Sequence, residues 1–338
     1  MIISFITLFI LNVLFIIFID KIAKIIDIYD VPDNKLKLHK KKTPIIGGLI
    51  LIINFSIIFI YQILFLKKFL ILDISSTNTL EVLSLLFLIY SFFFLGLFDD
   101  KYNLTPLKKI LFSISVILLA SLFNDNLTIT NFVLSFYDSR IFFENSSIIF
   151  TIFCILILIN SLNFYDGING QSCLIFFTFF VYLFLKSDLA LFYLLCLILI
   201  LIIMYLNLRN LIFLGDSGIF LLGIILSISI IYEYNVQKNI IYADEIFFLL
   251  LLPGLDLVRL TLTRILRSKN PLIGDREHFH HLLINKYSLV TSNILLFFLS
   301  IFPIFLFTFI KFNFFLTFSL FVIIYILLIK FLKSNDKK

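Results

Sequence analysis

Polar side chains are scarce in this chain, and those that could do chemistry fall in short groups at the ends of apolar runs. Asp99 and Asp100 close a run that begins at Leu80, and Lys108 and Lys109 open the next one after the turn Tyr102-Asn103-Leu104-Thr105-Pro106. Two bare carboxylates at the end of an apolar span are costly, so they mark a site. Adjacent residues of a helix point about 100° apart. Both carboxylates can therefore face one ligand only at a frayed helix end, which the Asn-Leu-Thr-Pro turn would supply. Asn160, Asn163 and Asp166 follow one another at helical-turn spacing and give one face three oxygen-bearing side chains, with Gly167 and Gly170 allowing a tight turn against a ligand. Amides and carboxylates of this kind suit Mg²⁺ rather than a soft metal. The stretch from Asn207 through Gly215-Asp216-Ser217-Gly218 resembles a helix amino end that faces an anion, with Asp216 available to a metal. Last comes Gly274-Asp275-Arg276-Glu277-His278-Phe279-His280-His281. A zinc site there would lack a cysteine partner and a His-Glu-x-x-His helix, so a cationic, hydrogen-bonding clamp on phosphates is the better fit.

The elements that must position these groups are membrane helices. Hydrophobic residues make up 61% of the 338 residues and charged residues 14%, whereas a soluble domain is about a quarter charged. Apolar runs predict helices at about 1–19, 45–66, 80–98, 107–123, 147–163, 171–186, 189–206, 218–234, 240–264, 292–310 and 312–332. The expected fold is all-α and polytopic, with about eleven transmembrane helices in a single integral-membrane domain over 1–338. The run at 240–264 is interrupted by Pro253-Gly254 and followed by Asp256 and Arg259, as in a broken helix. The first run has no basic n-region and no small-residue cleavage site, and reads as a retained helix.

Eleven spans place loops at about 20–44, 99–106, 164–170, 207–217 and 256–291 on one side of the membrane. That side collects all but Lys67, Lys68, Arg140, Lys186, Lys238 and Lys311 of the 27 basic residues, which makes it cytoplasmic. The net charge of +6 thus follows membrane topology and does not imply nucleic acid. All four histidines and every polar group named above share the cytoplasmic side. In the first loop, the lysines Lys35 to Lys42 serve as topology anchors on anionic headgroups. Gly47-Gly48, at a helix start, would let a backbone or a ligand approach closely. Cys154, Cys173 and Cys196 all sit in apolar runs, an odd set that argues against a disulfide framework.

Taken together and in this order, the five polar groups between about Asp30 and His281 resemble the polyprenyl-phosphate N-acetylhexosamine-1-phosphate transferase superfamily. The His-x-His-His form favours the branch that transfers GlcNAc-1-phosphate. The resemblance implies that undecaprenyl phosphate attacks the β-phosphorus of a UDP-HexNAc, giving undecaprenyl-diphosphate-HexNAc and UMP with Mg²⁺ or Mn²⁺. It implies metal ligation by Asp216 and Asn163, and service to the lipid-phosphate nucleophile by Asp99 and Asp100. Phosphate contacts would come from Lys109, His278, His280 and His281, while Asn160, Asp166, Asn207 and Arg276 would help to place the nucleotide sugar. The implied setting is the bacterial cytoplasmic membrane, with the lipid bilayer as a partner and a homodimer as an option. The chain departs from the family at three positions: Ile45 in place of a common arginine, Asn169 in place of the second aspartate of Asp-Gly-x-Asp-Gly, and Asn210 in place of a common proline. The Asn169 change leaves one carboxylate fewer and keeps other UDP-HexNAc or deoxy-HexNAc donors open. A transporter using intramembrane carboxylates and an inactive lipid-binding relative are the rival classes.

Overall fold

A computed structural model describes residues 2–32, 42–70, 72–73, 78–187, 189–236, 241–268 and 277–334. Lys35 to Lys41 and Asn270 to Arg276 lie outside the described residues. The helices are α1 (Ile2–Ile26), α2 (Gly47–Tyr61, continued through Leu66 by a wider π turn), α3 (Thr79–Tyr102), α4 (Pro106–Leu122), α5 (Ser147–Phe164), α6 (Gln171–Lys186) and α7 (Ala190–Leu208). They continue as α8 (Gly215–Val236), α9 (Ala243–Leu249), α10 (Leu251–Leu266), α11 (Phe279–Lys286), α12 (Leu289–Thr308) and α13 (Phe314–Ser334).

The protein is a mostly helical polytopic membrane protein, and the described residues do not reach the expected eleven spans. Each expected apolar run is helical, yet among the described residues only eight helices are long and apolar enough to cross a membrane. The count rises to nine if α9 and α10, bent by 67° at Leu250, form one span. The short ones are α6, with 16 residues, and α4, which has 17 and spends its first turn on Pro106, Lys108 and Lys109. Among the described residues, three antiparallel two-stranded ladders join the connections: β1 (Tyr29–Asp30) with β2 (Thr43–Pro44), β3 (Lys68–Phe69) with β4 (Leu72–Asp73), and β5 (Asn131–Leu134) with β6 (Tyr137–Phe142). Helix also intrudes on two expected loops: Asp99 and Asp100 sit inside α3, and Asp256 lies inside α10.

The centre of the bundle is α8. Its span is 89% buried, against 22% for α1 and α13, because α2, α3 and α5 all pack along it. α8 is mostly apolar along its length, and its buried Glu233 accepts from the Ser187 and Tyr193 hydroxyls. Close approach at its amino end depends on glycines in the neighbours. A Cβ on Gly96 of α3 would stand 2.4 Å from the Asp216 carbonyl oxygen and 2.4 Å from the Ser217 Cα. One on Gly48 would meet the Gly218 nitrogen at 2.5 Å. The α2 amino end is also tied to the strand-like entry into α8, with Gly47 N donating to Phe213 O (3.0 Å) and Phe213 N donating to Pro44 O (2.9 Å). The Gly47-Gly48 pair thus admits a neighbouring backbone.

Gly96→Ala forces backbone apart and should cost ~1–3 kcal/mol or more. Gly254, in α10, has open space around its Cβ direction, so Gly254→Ala should be neutral or stabilising by up to ~1 kcal/mol. Thermal unfolding of the two variants in detergent checks the contrast, and equal behaviour would contradict this packing.

Candidate active site

The site forms where α3 ends, α4 begins and α8 begins. α3 stops because Asn103 turns left-handed (φ 51°), a conformation asparagine tolerates, with its N–H on the Asp99 carbonyl at 2.8 Å. Pro106 then sits in the first turn of α4, where its missing N–H costs nothing. This tight corner brings Lys109 back onto α3. Its ammonium lies 2.6 Å from Asp99 Oδ2 and 3.7 Å from Asp216 Oδ2. Leu104 N donates to the other Asp99 oxygen at 2.8 Å, so the buried Asp99 carboxylate is fixed at both ends.

Asp100 does something else. Its oxygens accept from the backbone N–H of Asp216 (2.7 Å) and of Ser217 (3.0 Å), so a carboxylate on α3 caps the amino end of α8. Gly215 enters that helix with φ 73° and leaves its own Cβ direction to the Asp100 carboxylate. The expectation that Asp99 and Asp100 converge on one ligand at a frayed end is therefore corrected. α3 is intact through Tyr102, and the ~100° between neighbours sends the two carboxylates to different partners.

The α5–α6 and α7–α8 turns lock together beside this corner. Asn207 Oδ1 accepts from Gly170 N (2.6 Å), and its Nδ2 donates to Ile212 O (3.2 Å). Asn207 was expected at the nucleotide sugar, but both ends of its amide are taken up inside the protein. Asn169 Nδ2 donates to Asn207 O (3.1 Å) and Asn210 Oδ1 (2.7 Å), and Asn169 O accepts from Asn293 Nδ2 (2.8 Å). An aspartate at 169 could donate to neither acceptor. Asn210 has φ 57°, which a proline ring, held near −65°, cannot adopt. Two of the three family departures thus belong to one local arrangement. Ile45 instead pairs with Phe213 through a single parallel bridge.

Asp166 is exposed, with one oxygen accepting from the Ser172 hydroxyl. Asn160 is half-buried and donates to Leu156 O in its own helix (2.7 Å). Asn163 is half-buried too; it stands one turn beyond Ile159, which faces Gly223 of α8, and so shares the face of α5 that packs on α8.

The histidines divide into different environments. His280 is 1% exposed, with Nδ1 3.2 Å from Gln171 Nε2 and Nε2 pressed over Gly167. Burial, then the neighbouring His281 and His278, hold its pKa well below the ordinary imidazole value, so the ring is neutral. His278 is partly exposed and places Nδ1 2.9 Å from Asp256 Oδ2, while His281 is half-buried beside them. Arg276 lies outside the described residues.

A family model described as glycosyl transferase family 4 matches residues 82–233, the stretch that carries Asp99, Asp100, Lys109, Asn163 and Asp216. Over that stretch the chain is similar to this family. An Escherichia coli O157:H7 protein, undecaprenyl-phosphate alpha-N-acetylglucosaminyl 1-phosphate transferase, is 24% identical over 201 residues, which is 56% of this chain and 54% of that protein. The match therefore spans about half the length of the relative. The histidine loop falls beyond the matched stretch.

Sequence reasoning missed Asp256, Arg259 and Tyr325 as parts of the site. The visible signal was an Asp-x-x-Arg pair inside an otherwise apolar helix. Ligand atoms of Asp256, His278 and His280 lie within 4.8 Å of one another, a candidate metal cluster. The chemistry does not fit a divalent ion, because the Asp256 carboxylate already binds the Arg259 guanidinium at 2.7 Å. A metal there would sit beside a fixed positive charge.

Asp100→Asn leaves one oxygen for two N–H donors and removes the charge at a helix amino end. It should cost ~1–2 kcal/mol of stability, read by thermal unfolding. Asn169→Asp should also destabilise, by ~1–3 kcal/mol, through unpaired acceptors facing one another. An Asn169→Asp variant as stable as the parent would overturn the account of that turn.

Proposed function

We propose that this chain transfers HexNAc-1-phosphate, with GlcNAc-1-phosphate the first choice, from a UDP-sugar to undecaprenyl phosphate, releasing UMP. In this reading the whole chain is one integral-membrane transferase domain of the bacterial inner membrane. Its site faces the cytoplasm, and its product starts a cell-envelope glycan such as O-antigen. The observation that carries the reading is the junction of Asp99, Lys109 and Asp216 at one end of the bundle, inside the family-matched stretch. The relative's printed name supports the substrates. A transporter would hold its binding groups near the bilayer midplane, whereas these stand at helix ends.

The reaction joins two anions. An oxygen of the lipid phosphate bonds to the β-phosphorus, and the bond from that phosphorus to the bridging oxygen breaks, its electrons leaving with UMP. A phosphate monoester has a second pKa of about 6, so the nucleophile is largely dianionic and little is gained from a general base. Bringing the anions together is the harder task, and it calls for fixed positive charge. Lys109 supplies an ammonium held between Asp99 and Asp216. Asp99, tied down by Lys109 and Leu104 N, orients the lipid phosphate in a direct displacement. Asp100 acts through the backbone by seating Asp216.

A divalent metal fits the donors. Asp216 and Asn163 offer hard oxygens of the kind Mg²⁺ prefers, and Asp216 keeps one carboxylate oxygen beyond the 3.7 Å contact of its Oδ2 with Lys109. Mg²⁺ or Mn²⁺ held there would neutralise charge on the diphosphate. Asp166 and the histidine loop would meet the nucleotide sugar and its phosphates.

Full-length protein in detergent, given undecaprenyl phosphate, Mg²⁺ and a panel of UDP-HexNAc and deoxy-HexNAc donors, should release UMP with one of them. Omitting lipid or adding EDTA should abolish the release. Asp216→Asn should lower turnover by ~10²-fold or more, since a lost charge-stabilising contact costs several kcal/mol. Near-parental turnover in that variant would remove Asp216 from the metal site, and UMP release that ignores EDTA would remove the metal.

A further inference from the structure

The carboxylate of Asp256 gathers more partners than any group assigned to the transfer. It is 2% exposed in α10. Its Oδ1 accepts from Arg259 Nη2 (2.7 Å), from the Tyr325 hydroxyl (2.9 Å) and from Phe279 N (3.1 Å). Its Oδ2 meets His278 Nδ1 at 2.9 Å. Arg259 closes the network, with Nε on the Tyr325 hydroxyl (2.9 Å) and Nη2 on the Glu277 carbonyl (2.7 Å). One carboxylate thereby binds α10, α13 and the entry into α11, three elements distant in sequence.

We infer that Asp256 is a positioning residue for the transfer, fixing His278 through Nδ1 so that Nε2 is the ring atom left to meet a phosphate oxygen, with Tyr325 and Arg259 holding the carboxylate in place. The inference rests on the proposed function and assigns His278 and His280 different duties. His280 is enclosed between Gln171 and Gly167 and docks α11 onto the α5–α6 turn. His278 is the partly exposed one, stacked on His280 with ring centres 5.2 Å apart and planes 13° from parallel. A ring held by a neighbour's face and by a carboxylate on one nitrogen loses little freedom when it takes up a ligand with the other. As imidazolium it donates from both nitrogens, to Asp256 and to the phosphate. Hydrogen-bonding partners of this kind orient a reactive imidazole and are worth about 10–100-fold when removed from metal-bound histidines. The last helix enters the site by the same route, through the Tyr325 hydroxyl.

The test is a double-mutant cycle on full-length protein, reading UMP release (kcat and KM for the UDP-sugar) and thermal unfolding in parallel. Asp256→Asn and His278→Gln should each lower kcat/KM about 10–100-fold, and the double variant should be no worse than the weaker single one. Multiplied losses would overturn the inference, because Asp256 would then act independently of His278. If Asp256→Asn does not fold, Tyr325→Phe takes its place: it should lower kcat/KM in the parent and change nothing in His278→Gln. An equal loss in both backgrounds would count against the network. If the unaltered protein releases no UMP, the transferase reading fails and the thermal midpoints still decide the pairing. Coupled losses of stability support the Asp256–His278 pair, and additive losses overturn it.

Discussion

The amino end of a helix presents backbone N–H groups that must find acceptors, and in this protein that requirement shapes the site. α8 begins inside the protein, and its first N–H groups are met by the Asp100 carboxylate from the end of α3. The contact fixes how far α3 and α8 slide along each other, and the bare backbone at Gly96 lets them come close enough to make it. Once they are seated, Asp216 stands in the first turn of α8 within reach of the Lys109 ammonium, and Lys109 stands within reach of Asp99. One structural ion–dipole contact thus assembles the candidate cluster from three helices.

A second layer of order comes from amides. Asn169, Asn207, Asn210 and Asn293 hydrogen-bond across the α5–α6 turn, the α7–α8 turn and α12. Amides carry both donors and acceptors, so they can tie turns together without bringing net charge to a membrane surface. This explains how the chain does without an aspartate at 169: the position serves the turn, and the carboxylates are left to Asp166 and Asp216. The third layer is ionic. Asp256 and Arg259 neutralise each other inside α10 and bring the histidine loop against α13.

Much of this was legible in the sequence. Apolar run lengths located every helix but the short α11, which lies in the expected 256–291 loop, and the polar groups stand at run ends because a membrane helix can expose polar side chains cheaply only where it leaves the apolar layer. The similarity to glycosyl transferase family 4 covers three of the same groups. Local chemistry also foretold the break near Pro253-Gly254 and the corner at Asn103 to Pro106.

The division of labour among neighbours was decided by tertiary structure. Asp99 and Asp100 are identical in type and adjacent in sequence, yet one meets an ammonium and the other a helix end. Asn207 looks like a ligand until Gly170 and Ile212 are seen to occupy its amide. His278 and His280 differ through Asp256 and Gln171, which lie 22 and 109 residues away. Sequence determined which residue types stand at the membrane boundary, since the cost of burying charge acts on each segment alone. Only the packed bundle decided which atoms meet, because a hydrogen bond depends on directions and distances that separate helices set jointly.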